Sequence, residues 1–183
     1  MMTIPPGSYT LGPEQATLTV RTGKTGAASK AGHNLLIEVT AWNATLQAGD
    51  DPAATTVEVT ADSTSLRVLD GTGGMQTLGD DDKVAIGKTI NDEVLKRGAI
   101  SFRSSSVEAG RDGGELRVHG ELDLFGARRP ITFELRVGGE GDLTGRARIT
   151  QSDFGVKPYS TLFGALKVVD EVQVALDGRL PSS

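Results

Sequence analysis

Residues 114–137 read GELRVHGELDLFGARRPITFELRV. Taken two at a time, Leu116, Val118, Gly120, Leu122 and Leu124 fall on one side, and Glu115, Arg117, His119, Glu121 and Asp123 on the other. Successive side chains of a strand point to opposite faces, so this alternation predicts a half-buried strand. After Phe125-Gly126-Ala127-Arg128 the pattern resumes, with Ile131, Phe133, Leu135 and Val137 inward and Thr132, Glu134 and Arg136 outward. The pair reads as an antiparallel hairpin. Pro130 has no N–H to give a ladder, and its expected place is the first residue of the second strand. A sheet built this way has water on one face and apolar material on the other.

The same reading extends in both directions. Ala16, Leu18 and Val20 share a face in a first full strand, after a short apolar stretch from Tyr9 to Leu11. From His33 to Gln47 the apolar set changes parity: Leu35, Ile37, Val39 and Ala41 share one face, then Trp42, Ala44 and Leu46 take the opposite phase. One inserted residue flips every later side chain, which predicts a bulge near Ala41 to Asn43. Val57, Val59 and Ala61 lose phase with Leu66 and Val68 across Asp62 to Ser65. Breaks at matching places in two long strands predict one shared corner of a strongly bent sheet. Further strands are expected at Ile100 to Ser104, Asp142 to Thr150 and Lys167 to Leu180.

Asp80-Asp81-Asp82 followed by Ile86, Ile90 and Val94 at four-residue spacing, with Leu95 beside them, predicts one helix over about 81–97. Carboxylates in a first turn complement its unpaired N–H groups, and Gly98 suits its end. Residues 151–164 follow neither period and are expected to be a loop with a short helical turn near 152–163. The class is therefore all-β, with eight principal antiparallel strands and one helix, in one domain over 1–183.

Nineteen basic and twenty-four acidic residues give a net charge of −5. With no cluster of cations interleaved with aromatics, nucleic acid is not an expected partner. The chain has no cysteine, so it carries neither disulfide nor thiol chemistry. No run of eighteen apolar residues and no basic, then apolar, leader are present, and a cytoplasmic protein without a transmembrane segment is expected. Its oligomeric state, monomer or homodimer, is left open.

Eight amphipathic strands bury one face by closing or by stacking as two sheets, and closure removes exposed edges. The inward set includes Ala16, Ala61, Ser104, Gly120, Gly145 and Ala147, while only eight residues are aromatic. Small inward residues leave volume that is either collapsed or occupied by something apolar.

The hairpin LDLFGARRPITFEL, the closing LKVVDEVQVALDG and the helix followed by AISFRSSSVE together resemble the YceI-like family from Tyr9 to about Leu180. The family's lead into that last strand usually carries a Pro where Arg97-Gly98-Ala99 stands here. The resemblance implies a lipocalin-like eight-stranded barrel with a long apolar pocket for an isoprenoid tail, capped by helix and loops. Many members carry an export leader. The implied role is non-catalytic binding, transport or storage of a polyisoprenoid, isoprenoid quinone or similar lipid. No resident cofactor or metal is expected, and a co-purifying isoprenoid lipid or quinone would be the bound molecule.

Expected wall residues are Leu18, Ile37, Trp42, Phe102, Leu122 and Phe133. Phe154, Tyr159, Leu162 and Phe163 are expected at a rim or lid, because aromatics placed in a loop need an apolar partner. His33, which opens a long strand, is a possible contact for a ligand head group. An enzyme acting on a hydrophobic substrate, with His33 and a nearby carboxylate or Tyr159 as an acid/base pair, and a filled barrel acting as a structural or interaction module are the alternatives. No Ser-His-Asp or Cys-His pattern supports the first. Residues 70–81 fail the calcium-loop pattern, and GTGG at 71–74 lacks the GK[ST] of a phosphate loop.

Overall fold

The computed structural model describes residues 4–74, 77–110, 115–138, 140–161 and 166–181. In chain order the strands are β1 Gly7–Leu11, β2 Ala16–Arg21, β3 Lys24–Thr25, β4 Asn34–Val39, β5 Trp42–Ala48, β6 Thr56–Asp62 and β7 Leu66–Thr72. Helix α1, Asp80–Thr89, continues as a π-turn, Ile90–Val94. Then come β8 Ala99–Ala109, β9 Glu115–Leu124, β10 Ala127–Val137, β11 Asp142–Thr150, β12 Ser160–Thr161, β13 Leu166–Val168 and β14 Glu171–Arg179.

The main sheet has eleven strands in the order β1-β5-β6-β8-β9-β10-β11-β14-β2-β4-β7, and every pairing is antiparallel. Eleven rather than eight arise because three long strands are each broken at a corner: β1 runs into β2, β4 into β5, and β6 into β7. The parity change at Val39 to Trp42 and the one at Asp62 to Leu66 are the two sides of one corner, where β4 gives way to β5. The bulge expected near Ala41 to Asn43 is this break, and the register shift lies earlier, between Leu36 and Ile37. At the corner the Thr40 N–H donates to Ser65 O at 3.0 Å, the Ala41 N–H to Ser65 Oγ at 3.0 Å and the Asp62 N–H to Ala41 O at 3.0 Å. Because the strands at both ends of the order continue into interior strands, the sheet curls around a common interior.

At that corner Ser63 is buried, and its hydroxyl has no hydrogen-bond partner among the described residues. An unsatisfied buried hydroxyl costs about 1–3 kcal/mol of desolvation. Ser63→Ala is therefore expected to raise stability by about 1 kcal/mol, seen as a higher urea midpoint at unchanged slope. A lower midpoint would mean that the hydroxyl is bonded after all.

The hairpin pairs as read, with Leu116 opposite Leu135 and Val118 opposite Phe133, but its turn is shorter than the four residues Phe125 to Arg128 expected. Its two-residue turn, Phe125-Gly126, has φ of 57° and 88°, and these positive angles are the ones whose twist matches that of the flanking strands. Consequently β10 begins at Ala127, and Pro130 lies inside it opposite Glu121. Counting from the hydrogen-bonded Leu124–Ala127 pair, position 130 is a non-hydrogen-bonded site toward β9. On its other side β11 pairs only from Glu134 onward. The proline nitrogen is thus not required by either neighbour.

Asp80, Asp81 and Asp82 occupy the first turn of α1, and the Asp82 carboxylate accepts from the Gly79 N–H at 3.0 Å. Ile86, Ile90, Val94 and Leu95 pack on the core. The helical run ends at Val94 rather than 97, because Lys96 and Arg97 take left-handed angles of φ 50° and 54°. The predicted turn near 152–163 is a 3-10 turn over Gln151–Phe154. Residues 167–180 form two strands, interrupted where the Asp170 carboxylate accepts from the Ser152 N–H at 2.8 Å and from its hydroxyl. β13 instead joins β12 and β3 in a separate small sheet.

A candidate apolar ligand cavity

Along most strands of the barrel, one end meets packed side chains and the other meets open space. Tyr9, Leu46, Val107, Val118, Val137 and Leu143 are buried and plug one end. Further along the same strands, Ala44 of β5, Phe102 of β8, Leu122 of β9, Phe133 of β10 and Ala147 of β11 line a cavity of about 320 Å³. Ile90, Val94 and Leu95 of the π-turn segment close over it. The lining is mostly aliphatic and aromatic; among the described residues Thr22, Arg146, Gln151 and Tyr159 are polar, and Trp42 adds an indole N–H.

Of the expected wall residues, Leu18, Ile37, Trp42, Phe102, Leu122 and Phe133 all line this cavity. The Phe102 and Phe133 rings meet edge to face, with centroids 5.1 Å apart, a geometry favoured by the ring quadrupole. Tyr159, 42 % exposed, stands at the rim. Phe154 is buried but lines an adjoining vestibule rather than the cavity itself. Leu162 and Phe163 lie outside the described residues. His33 is not among the cavity-lining residues; its ring packs on the 71–74 turn, where a Cβ at Gly74 would come within 2.5 Å of Nε2. The acid/base pair of His33 with Tyr159 is therefore not assembled. His119 sits on the outer face as read, 2.9 Å from Glu108 and 2.9 Å from Thr132 Oγ1. That hydrogen bond holds the Glu108 carboxyl below the usual carboxylate range.

Three of the six small inward residues do create space: Ala61, Gly145 and Ala147 line the cavity. The other three have different work. A Cβ on Gly120 would lie 2.5 Å from Phe102 Cζ and 2.3 Å from Arg103 O, so this glycine lets the Phe102 ring lie across β9 toward Phe133. Ser104 accepts the Val57 N–H at 2.9 Å, and Ala16 fills the place of a side chain at Gly178. Sequence reasoning passed over Ile90, Val94 and Leu95 as wall residues, although their four-residue spacing already marked an apolar helix face.

The architecture agrees with comparison to known proteins. A model of the YceI-like domain matches residues 9–180. The chain belongs to the YceI-like family. Among solved structures similar to this YceI-like chain, Burkholderia cenocepacia BcnA aligns with a TM-score of 0.61 at 19 % identity, over 92 % of this chain and 96 % of that one. The Campylobacter jejuni YCEI protein aligns with a TM-score of 0.55 at 14 % identity, over 80 % and 85 %. A mutant of the latter, crystallised with a monobromobimane guest, aligns with a TM-score of 0.56 at 13 % identity. At such identities the likeness is one of fold. No curated protein sequence matches the chain. The YceI-like barrel is a binding-protein fold, and among its described residues no helix is long and apolar enough to cross a membrane.

Proposed function

We propose that the protein is a non-catalytic carrier that takes the apolar chain of a polyisoprenoid, an isoprenoid quinone or a similar lipid into its barrel. The observation that carries this reading is the cavity of about 320 Å³ with an apolar wall, lying under the helix cap and beside a more polar vestibule. A protein interior tolerates few voids of this size, and an apolar void of that kind takes up an apolar guest. Taking a chain carbon to need about the 30 Å³ that a water occupies in the liquid, the cavity has room for roughly ten of them. Burying each methylene contributes about 0.8 kcal/mol, so roughly 8 kcal/mol is available to offset the cost of association. A longer isoprenoid would be held by one end, with the remainder passing into the vestibule.

Extraction of the purified protein with organic solvent, followed by mass spectrometry, tests this reading. One lipid with an apolar chain recovered near one per protein is expected. Repeated recovery of none, together with failure of the emptied protein to bind farnesol or a short-chain ubiquinone, would sink it.

A further inference from the structure

We propose that the vestibule beside the cavity seats an anionic head group, with Lys96 and Lys157 as its cationic contacts. On this inference, which rests on the cavity being a ligand site, the barrel prefers lipids whose head group is acidic over those whose head group is neutral. The vestibule measures about 520 Å³ and lies between the end of the π-turn segment and residues 154–160. It shares Val94, Leu124, Val156 and Tyr159 with the apolar cavity, so one wall serves both. A chain threaded through the cavity would bring its terminal group here. The character of the lining changes at this boundary, where Lys96, Lys157, Glu93 and Ser160 join the apolar wall. Two cations face one carboxylate, in a protein whose net charge is −5.

Backbone strain concentrates at the same place. Among the described residues the non-glycine positions with positive φ are Lys96, Arg97 and Phe125, and Lys96 and Phe125 both line the vestibule. The angle at Phe125 is the one its hairpin turn requires; at Lys96 and Arg97 no such turn accounts for it, and a left-handed non-glycine residue persists only where the surroundings enforce it. Here the enforcement is visible. The Arg97 N–H donates to Asn91 O at 2.9 Å and its guanidinium pairs with Asp92 at 2.8 Å. The Phe125 ring occupies the space of a Cβ at Gly98, 1.9 Å from where that atom would be. The turn thereby commits the charge of Arg97 to a partner, while Lys96 lines the vestibule. Among the described residues neither Lys96 nor Lys157 has a carboxylate within ion-pair distance, although Glu93 lines the same vestibule. An incoming anion would find two uncommitted donors.

Delipidated protein is titrated at low salt with dodecanol, dodecanoate and dodecyl phosphate, each below its micelle concentration, by displacement of an apolar fluorophore. Both acids are expected to bind about tenfold more tightly than the alcohol. In the Lys96→Gln/Lys157→Gln double variant, checked for an unchanged melting temperature, the acids are expected to fall to the affinity of the alcohol, which itself stays put. Preference for only one of the two acids would support the site and identify the head group as carboxylate or phosphate. Equal binding of all three by the wild type, or an equal loss of all three in the variant, would overturn the head-group site while leaving the cavity reading intact. If none of the three bound, both readings would be overturned.

Discussion

Ala147→Phe is expected to abolish binding of apolar ligands while leaving the fold intact. Ala147 lies inward on β11 opposite Val174, and both line the cavity. Its methyl group faces open volume, so a benzyl group there fills space instead of displacing neighbours. Excluding as few as three ligand methylenes costs about 2.4 kcal/mol, roughly fiftyfold in affinity. Filling an apolar void also adds contacts, so the melting temperature should hold or rise. Fluorophore displacement and differential scanning calorimetry on Ala147→Phe, beside Arg148→Phe on the outer face as control, would show the contrast. Wild-type affinity in Ala147→Phe would mean that ligands bind elsewhere.

Gly120→Ala is expected to be the more damaging change for stability, although it adds only a methyl group. The new carbon would stand 2.3 Å from Arg103 O as well as 2.5 Å from Phe102 Cζ. A ring tip can rotate away, but a ladder carbonyl moves only with its strand. Overpacking of this kind costs about 1–3 kcal/mol, and the backbone contact puts it near the upper end. At roughly 2–4 °C per kcal/mol for a chain of this size, the melting temperature should fall by about 6–12 °C. Gly145→Ala provides the comparison: its Cβ would meet the flexible end of Leu135 at 3.0 Å, and less than half the loss is expected. Equal losses at the two positions would contradict the close approach at β9.

The two glycines were indistinguishable in the sequence. Both sit at inward positions of alternating strands, and both read as places where volume is left over. Gly145 leaves it; Gly120 does not, because a ring from the neighbouring strand lies over it. Similarly, Val118 and Leu122 belong to one apolar stripe of β9, yet the first is in the solid plug and the second in the cavity wall. Trp42, Phe102 and Phe133 were legible as wall residues because their phase and size mark them as inward. His33 was misplaced because the residue that receives its ring, Gly74, lies in a turn far along the chain. Phe154 was legible as buried, but not as belonging to the vestibule rather than the cavity.

Sequence alone determined what depends on near neighbours: the period-two faces, a hairpin across Phe125 to Arg128, a shared corner near 41–43 and 62–65, and the acidic start of the helix. Those features follow from backbone geometry and from which side chains can leave water, and both act over a few residues. Tertiary structure decided where the interior is full and where it is hollow, and that Lys96 and Lys157 border one opening. Whether an inward side chain meets another or faces space is set by strands paired across long separations, and a local pattern carries no record of that.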